Sequence, residues 1–378
     1  MVNRERVLAE FWELIRIDSP TKNERQIADI LKERLKSMGL SVTEDNAGQK
    51  IGGNCGNVYA YFKGNLSKAP VVLFSAHMDT VGPCLGIQPV LTNGIITSAG
   101  PTILGADDKS GIVPILETIR VIQEQNIPHG DIQVIFSIAE EGGLNGSKNL
   151  DKTLLKADLG FVMDCVGGPG EIVLAAPGQD RLDVTIKGKS AHAGFAPEEG
   201  ISAIVVAAKA IANMPTGRID EETTANIGTI QGGRATNIVA DEVRIACEAR
   251  SRNLKKLERQ TALMCEGFKR CAQEMGAVAE IEVNRLYEPF SLNIESQVVD
   301  IVSQAARSAG FNVVTGVTGG GSDANNFNLY GVPCAVLGTG MQKPHTTDEC
   351  IEEEDLYRTT ELLIEIVKLV AAKEKTSK

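Results

Sequence analysis

The stretch PVVLFSAHMDTV, residues 70–81, joins an apolar strand directly to an imidazole and a carboxylate. Val71–Phe74 is short and apolar on both faces, which is typical of a strand buried in a parallel sheet. His77 and Asp79 follow at the point where such a strand would reach solvent. Because the chain has only four histidines, this placement raises the question of what the imidazole does.

Helix-like and strand-like segments alternate on both sides of this stretch. Apolar residues at helical spacing indicate helices, and short aliphatic runs indicate further buried strands. These segments are helices at 22–38 and 111–125, strands at 132–138 and 159–163, and helices at 297–309 and 353–372. The order predicts an α/β domain with a mostly parallel, twisted sheet between helices.

A different pattern occupies the middle of the chain. Residues 165–180 (CVGGPGEIVLAAPGQD) are rich in glycine, proline and alanine, which indicates that they form, in part, a linker. From Leu182 onward apolar and polar residues alternate, as in a sheet with one face exposed to water. The order β-α-β-β-α-β predicts a ferredoxin-like α+β module. We therefore expect a discontinuous domain at 1–178 and 290–378 and an inserted lid or dimerisation domain at 179–289.

Composition excludes several classes of partner. The chain has 378 residues, of which 43% are hydrophobic and 23% charged, and a net charge of −11, a balance typical of a globular protein with more than one domain. Nucleic acids and anionic membranes require basic patches, so neither is an expected partner. Residues 1–20 have charges spread among apolar residues, unlike a secretory leader, and no charge-free apolar stretch could span a membrane. The eight cysteines lack paired spacing and are expected to be reduced, which favours a cytoplasmic protein.

Four of the predicted strands lead into acidic or imidazole side chains. In an open α/β sheet, ligands bind at the carboxyl ends of the strands, and imidazole and carboxylate are donors that a borderline divalent cation prefers. The candidates are His77 and Asp79 after the first strand, Glu140 and Glu141 after the second, Asp164 at the end of the third, His345 after the strand VPCAVLG, and Asp107 and Asp108 before a helix. Together they predict a metal site.

Each of these features also has a plain structural interpretation. A His-x-Asp pair at a strand end is commonly a hydrogen-bonded turn, and Glu140-Glu141 before two glycines would suit a solvated turn. Asp107 and Asp108 could cap the following helix, whose dipole favours a carboxylate there. Candidate ligands at four separate strand ends, in a chain with four histidines, favour the metal. His129, in a Pro-His-Gly turn, has no partner motif and is expected to be structural.

The same residues lie in motifs that resemble a known family. HMDTV, GADDKSG, AEEGG, MD and HTTDE, in this order and spacing, are similar to those of the di-zinc exopeptidases, a family that includes peptidase T, carboxypeptidase G and the aminoacylases. SAHAGFAPEEGISAI, GGRATNIVADE and TGGGSDAN resemble the inserted domain and substrate loops of that family. The resemblance covers essentially the whole chain and is strongest to the peptidase T-like branch of tripeptide aminopeptidases.

The resemblance implies that five side chains hold two zinc ions per subunit, for which cobalt or manganese could substitute. Asp107 would bridge the two ions. His77 and Asp164 would complete the coordination of one ion. Glu141 and His345 would complete that of the other.

The resemblance also assigns roles to the remaining acids. Asp79 would orient His77, which its two-residue spacing on the strand permits. Glu140 would be the general base that takes a proton from the attacking water and passes it to the leaving amine. Asp108 is left over, and we expect it to cap the following helix.

In the inserted domain the resemblance implies contacts with substrate. His192 would stabilise the oxyanion of the tetrahedral intermediate, reaching across a homodimer into the partner's site; otherwise it is a surface-loop histidine. Arg250, opposite the apolar face of its strand, would bind a peptide carboxylate with its guanidinium fork, or is simply solvated. Asn237 would offer its amide to substrate, or occupies a left-handed turn. Outside the inserted domain, Gly320 lies within Gly319–Gly321 before Ser322 and Asp323, where a helix is expected to begin, and would allow the backbone to approach substrate closely.

These inferences predict a cytoplasmic, homodimeric, zinc-dependent exopeptidase that releases the N-terminal residue of short peptides, tripeptides above all. In the resembling family an aspartate at position 164 goes with aminopeptidases and dipeptidases, and a glutamate with carboxypeptidases and deacylases. An N-acyl amino acid amidohydrolase or a carboxypeptidase with the same site stays open, as does a non-catalytic metal-binding protein, which Glu140 disfavours. A nucleotide-dependent enzyme is disfavoured because the sequence has no phosphate-binding loop.

Overall fold

The computed structural model describes residues 2–373, in which helices and strands alternate over much of the chain. The helices are α1 Arg4–Ile15, α2 Arg25–Ser37, α3 Ala47–Ile51, α4 Ala106–Glu124, α5 Asn145–Lys148, α6 Ala203–Ala212, α7 Leu254–Glu274, α8 Gln297–Ser308, α9 Asp323–Leu329 and α10 Glu353–Ala371. The strands are β1 Ser41–Glu44, β2 Val58–Phe62, β3 Val72–His77, β4 Pro89–Thr92, β5 Ile95–Ser98, β6 Ile132–Ser137, β7 Leu159–Cys165, β8 Glu171–Ala176, β9 Gly178–Lys187, β10 Gly217–Arg218, β11 Thr223–Gly232, β12 Glu242–Ser251, β13 Val278–Tyr287, β14 Phe290–Ser291, β15 Val314–Val317, β16 Cys334–Gly338 and β17 Cys350–Glu352.

The described chain forms two compact units. Of the described residues, the first unit contains 2–175, 291–318 and 322–373, and the second contains Ala176–Phe290 and Gly319–Gly321. Each unit buries its own set of apolar side chains. Each therefore has the separate hydrophobic core that a domain requires.

The first unit is built on a nine-stranded sheet with a parallel centre. Its strand order is β1-β2-β6-β3-β7-β16-β8-β14, and β15 pairs with β8. The neighbouring strands β6, β3, β7 and β16 run in the same direction. At one side of the sheet, β2 pairs antiparallel with β6, and β1 pairs antiparallel with β2. The prediction of a mixed α/β fold with a mostly parallel central sheet is confirmed.

Burial on both faces explains why the central strands are mostly apolar. Every residue of β3 and β6 is buried, as expected when helices cover both faces of a parallel sheet. The rings of Phe74 and Phe161 stack between β3 and β7, with centroids 6.1 Å apart. Helix α4 packs on β3, and α10 packs on α4 and α8. Because the four central strands are parallel, their carboxyl ends meet at one edge of the sheet.

The prediction of a linker within residues 165–180 is wrong. Glu171–Ala176 forms β8 in the sheet of the first unit, and β9 begins at Gly178. Ile172 and Val173 are buried in this strand. The glycines instead form the turn before it, since Gly167 and Gly170 have φ of 93° and 110°, a backbone conformation that glycine adopts without strain.

The second unit is a five-stranded sheet with order β10-β11-β12-β9-β13 and antiparallel pairing throughout. Burial alternates along β12, where Val243, Ile245, Cys247 and Ala249 are buried and the residues between them are more exposed. Helices α6 and α7 pack on this apolar side. The polar side chains of the sheet therefore lie on its other face.

Two further features bear on the function classes that the composition left open. Among the helices within residues 2–373, none is both long and apolar enough to cross a lipid bilayer. The eight cysteines all lie in this described range and are free thiols.

Candidate metal centre

Five side chains converge at the carboxyl edge of the parallel sheet. His77 ends β3, Glu141 follows β6, Asp164 lies near the end of β7, Asp107 is in the first turn of α4, and His345 follows β16. They form two overlapping groups, His77 with Asp107 and Asp164, and Asp107 with Glu141 and His345, each with donor atoms within 4.8 Å of one another. Asp107 belongs to both groups, as a bridging ligand would.

The two carboxylate oxygens of Asp107 face different histidines. Oδ1 lies 3.0 Å from His77 Nε2, and Oδ2 lies 3.4 Å from His345 Nε2. His345 Nε2 also lies 2.9 Å from Glu141 Oε1. One carboxylate thus stands between two sets of nitrogen and oxygen donors, an arrangement suited to two neighbouring cations.

A hydrogen bond of His77 determines which ring nitrogen carries its proton. Nδ1 lies 2.9 Å from the backbone carbonyl oxygen of Asp79; because a carbonyl can only accept, Nδ1 donates. In the neutral ring Nε2 then presents a lone pair to Asp107 and, 4.0 Å away, to Asp164 Oδ1. A lone pair that faces two carboxylates is unfavourable unless a positive charge lies between them, so these donors fit a metal ion.

The acids of the cluster are buried and crowd one another. Burial raises the pKa of Asp164 well above its ordinary value, and Asp107 raises it further. Burial acts on Asp107 in the same direction, but when both imidazoles are protonated their hydrogen bonds, from His345 first and then from His77, outweigh it and hold the Asp107 pKa below its usual range. Glu141 Oε1 is buried and lies 2.9 Å from His345 Nε2. A divalent cation would relieve this crowding of acids.

Glu140 stands beside the shared ligand set. Its carboxylate groups with His77 and Glu141, with donor atoms within 4.8 Å of one another, and the residue is buried. Burial, and then Asp164, raise the pKa of Glu140 well above its ordinary value. A carboxyl group with a raised pKa at this position is suited to accept and return a proton.

Asp79 contacts His77 through its backbone and not through its carboxylate. The carboxylate oxygen Oδ1 is 3.6 Å from His77 Nδ1, farther than the carbonyl oxygen. The Asp79 carboxylate instead accepts the backbone N–H groups of Glu140 at 2.9 Å and Glu141 at 3.3 Å. One residue therefore orients both the histidine and the turn that carries the two glutamates.

The expected helix-capping role of Asp108 is wrong. Asp107 and Asp108 have non-helical backbone angles at a kink near the start of α4. Asp108 is fully buried, its Oδ2 accepts the backbone N–H of His77 at 3.2 Å, and its Oδ1 accepts no hydrogen bond from the helix. A Cβ atom at Gly111 would lie 2.6 Å from Asp108 Oδ1, so glycine there makes room for the carboxylate. Asp108 thus ties the start of α4 to the end of β3.

Glu349, the last residue of the motif HTTDE, holds the loop before Asp107, a role that the sequence pattern did not indicate. Its carboxylate accepts the backbone N–H groups of Leu104, Gly105 and Asp107 at 2.7–2.9 Å. The residue is 1% exposed, so these bonds are shielded from water. The motif HTTDE therefore contributes both a candidate ligand and an anchor for the bridging aspartate.

His129 is structural, as predicted. Its ring stacks on Phe62 with centroids 4.6 Å apart, and its Nδ1 donates to the carbonyl oxygen of Gly130 at 2.8 Å. Among the described residues, it belongs to none of the groups of side chains that could hold a metal ion.

In the second unit, local hydrogen bonds determine which tautomer the neutral ring of His192 adopts. The backbone N–H groups of Gly194 and Phe195 donate to its Nδ1 at 3.2 and 3.1 Å, so in the neutral ring the proton is on Nε2. The ring is exposed and offers Nε2–H as a donor. The backbone carbonyl of Asn237 accepts the N–H of Ala193 at 3.0 Å, which brings Asn237 next to this loop. Asn237 does not have the left-handed backbone that its turn interpretation required.

The guanidinium fork of Arg250 is partly engaged within the second unit. Its Nε and Nη2 donate to the two carboxylate oxygens of Glu248 at 3.0 and 3.1 Å. Glu248 also accepts from Gln179, whose own side-chain oxygen accepts the hydroxyl of Tyr287. The glycine run that contains Gly320 meets the same tyrosine, since a Cβ atom at Gly321 would lie 2.4 Å from its ring.

Comparison with known proteins identifies a family model, a relative and solved structures that resemble this chain. The model described as Peptidase family M20/M25/M40 matches residues 73–369. The protein YqjE of Bacillus subtilis strain 168 is 44% identical over 371 residues, which are 98% of this chain and 100% of that protein. The structure of aminopeptidase PepT from Bacillus cereus ATCC 10987 is 45% identical, with a TM-score of 0.90 over 98% of this chain and 99% of that one. That of a tripeptidase from Staphylococcus aureus subsp. aureus Mu50 is 42% identical, with a TM-score of 0.95 over 99% and 100%.

Proposed function

The chain belongs to peptidase family M20/M25/M40 and is a hydrolytic peptidase, and we propose that it is a metal-dependent exopeptidase that releases the N-terminal residue of short peptides, tripeptides above all. The observation that carries this proposal is the pair of donor groups that share Asp107. Two relatives above 40% identity, an aminopeptidase and a tripeptidase, support the direction of cleavage and the substrate size.

The donor set fits two divalent cations. His77 and Asp164 would hold one, Glu141 and His345 the other, and Asp107 both. We propose zinc, with cobalt or manganese as substitutes, because imidazole and carboxylate donors suit all three. Bound there, such a pair would polarise the scissile carbonyl and make the attacking water more acidic.

Glu140 would carry the proton. Its buried carboxylate accepts a proton from the water that attacks the peptide carbonyl and holds it while the tetrahedral centre forms. It then donates that proton to the leaving nitrogen, so the C–N bond breaks and a free amine departs. The raised pKa of Glu140 makes its carboxylate a stronger base toward the attacking water.

Residues of the second unit would bind the substrate. The Nε2–H of His192 would donate to the oxyanion, and Arg250, held by Glu248, would direct its remaining N–H groups toward the peptide carboxylate. Asn237 and Gly320 would contact the peptide backbone.

We also propose that the second unit is a ferredoxin-like lid and dimerisation domain. The antiparallel order β11-β12-β9-β13, with two helices on one face, supports this topology. Homodimerisation and a cytoplasmic location rest on the sequence alone. Sedimentation tests the dimer, and a monomer at micromolar concentration would contradict a role for His192 across subunits.

The direction of cleavage is tested with a tripeptide whose three residues differ. Zinc-loaded protein is incubated with Ala-Gly-Phe or N-acetyl-Ala-Gly-Phe, and the products are identified by mass. We expect alanine and Gly-Phe from the unblocked peptide only. Phenylalanine with Ala-Gly would instead identify a carboxypeptidase, and acetate from the blocked peptide a deacylase.

A further inference from the structure

The turn that carries Glu140 and Glu141 is held by side chains. After β6 ends, four successive backbone N–H groups donate to side-chain oxygens of three residues from elsewhere in the first unit. The bonds are Ile138 to Asn57 Oδ1 at 3.1 Å, Ala139 to Glu24 Oε1 at 3.0 Å, Glu140 to Asp79 Oδ1 at 2.9 Å, and Glu141 to Asp79 Oδ2 at 3.3 Å.

Glu24 meets this turn at its most constrained residue. Ala139 has a φ of 47°, in the left-handed region that residues with a Cβ seldom adopt. Glu24 and Ala139 are both 0% exposed, so water cannot replace the carboxylate. Without an acceptor the Ala139 N–H would be buried and unpaired, and the backbone would shift to satisfy it.

The loop that contains Glu24 supports the turn by a second route. Thr21 Oγ1 donates to Asp79 Oδ2 at 2.8 Å, and Asp79 in turn accepts from both glutamates. Glu24 Oε1 also accepts the backbone N–H of Lys22 at 2.8 Å, which closes the loop on itself. Residues 21–24 therefore act on both ends of the turn.

The position of Glu24 is not explained by the helix that follows it. Glu24 is the N-cap residue of α2, yet its side chain makes no capping hydrogen bond there. Burial, and then Asp79, raise the pKa of this carboxyl to about 7. Burial makes the ionised form of this carboxyl unfavourable, so a structural need for its oxygen as a hydrogen-bond acceptor would explain why an acid occupies this position.

We propose that Glu24, assisted by Thr21, is a positioning residue that sets the direction in which Glu140 and Glu141 project. It thereby governs the affinity of the cation held by Glu141 and His345 and the proton transfer by Glu140. This inference rests on the proposed function, since it concerns the same site.

The test compares two substitutions that differ only in the acceptor. Glu24→Gln keeps an oxygen for the Ala139 and Lys22 N–H groups, whereas Glu24→Met fills similar space without one. We expect Glu24→Met to lower kcat and to weaken the second zinc equivalent, each by about 10–100-fold, with KM within about twofold. Zinc affinity is measured by competition with a chelating dye. Glu24→Gln is expected to stay within about threefold of the original protein in both readouts.

A matched control separates positioning from general destabilisation. Glu10 is also buried in the first unit, but it binds Arg34 and Arg120. Glu10→Met is expected to lower the melting temperature and leave kcat and zinc affinity unchanged. The inference is overturned if Glu24→Met binds zinc and turns over normally, if Glu24→Gln loses as much, or if Glu10→Met shows the same losses.

Two further measurements cover the cases in which Glu24→Met does not fold or the original protein cleaves no peptide. If Glu24→Met does not fold, Thr21→Val decides, with a loss of about threefold in kcat and in zinc affinity supporting the inference and unchanged values overturning it. If the original protein cleaves no peptide, the proposed function fails, and the zinc competition still tests Glu24 on its own. Equal zinc affinity of the original protein and Glu24→Met would then overturn the inference separately.

Discussion

The two sheets of this protein carry their charged side chains in opposite ways. At the edge of the first sheet, Asp107 and Glu140 are each 7% exposed, and their closest partners are histidines and other acids. On the open face of the second sheet, charges pair in the solvent, as Arg181 does with Asp183 at 2.9 Å and Lys187 with Glu280 at 2.7 Å.

This contrast distinguishes charge that has a chemical role from charge that covers a surface. Exposed ion pairs contribute little to stability because water already solvates both partners. Buried carboxylates placed together are unfavourable unless a further group compensates them. The first arrangement therefore requires a ligand to explain it, and the second does not.

The largest effect is expected from the first region, at Glu140. Glu140→Gln keeps the shape of the side chain but cannot accept the proton, so kcat on a tripeptide should fall by about 10²–10⁴-fold. Zinc content, measured by mass spectrometry, should stay at two ions per chain. Undiminished turnover would remove Glu140 from the mechanism.

Zinc removal is expected to separate the two regions. With zinc at about 100 times its Kd, binding stabilises the folded first unit by about 2.7 kcal/mol. Chelation should therefore speed amide hydrogen exchange by about 100-fold in residues 138–141 and leave β9 and β12 unchanged. Equal acceleration in both units would contradict a site confined to the first.

A smaller effect is expected from the buried acid at position 24. Its pKa, raised from 4.5 to about 7, means that the folded chain binds this proton more tightly than the unfolded chain. The resulting stability is fully present below pH 4.5 and is lost as the pH rises through 7. With both proteins chelator-treated, Glu24→Gln should thus gain stability over the original protein between pH 5 and pH 8, by an amount on the order of 1–3 kcal/mol. Denaturant titrations at both pH values measure it, and a constant difference would contradict the raised pKa.

The smallest effect is expected in the second region. Arg181→Ala removes an exposed pair with Asp183 and should change the free energy of unfolding by less than about 0.5 kcal/mol. A urea titration checks this. A loss of several kcal/mol would mean that the contrast between the two sheets does not hold.

Local sequence signals predicted the central sheet and the convergence of the five candidate ligands. An apolar strand followed by His77, or by Glu140 and Glu141, contains both the element and its chemistry within a few residues. Parallel strands then bring these ends to one edge. The alternation of apolar and polar residues from Leu182 onward likewise predicted the second sheet.

Contacts between distant segments were not predictable in this way. Glu349 holds the loop before Asp107, and Glu24 holds Ala139, through hydrogen bonds to backbone N–H groups. Nearly every residue has a backbone N–H group, so no residue type in the sequence marks the partner of such a bond. Asp108 precedes a helix, as a cap would, but the backbone N–H that it binds belongs to His77 at the end of β3. Residues 165–180 were predicted to be in part a linker because of their composition, but Gly167 and Gly170 form a turn and the residues after them form β8.

The central claim is that two metal ions at the edge of the first sheet are required for peptide cleavage. It is tested most directly by titrating zinc into chelator-treated protein and measuring the hydrolysis of Ala-Gly-Phe at each step. We expect no cleavage without metal, full activity at two zinc equivalents per chain, and no activity from Glu140→Gln although it binds the same two. Full activity of the metal-free protein, with zinc absent by mass spectrometry, would contradict the account.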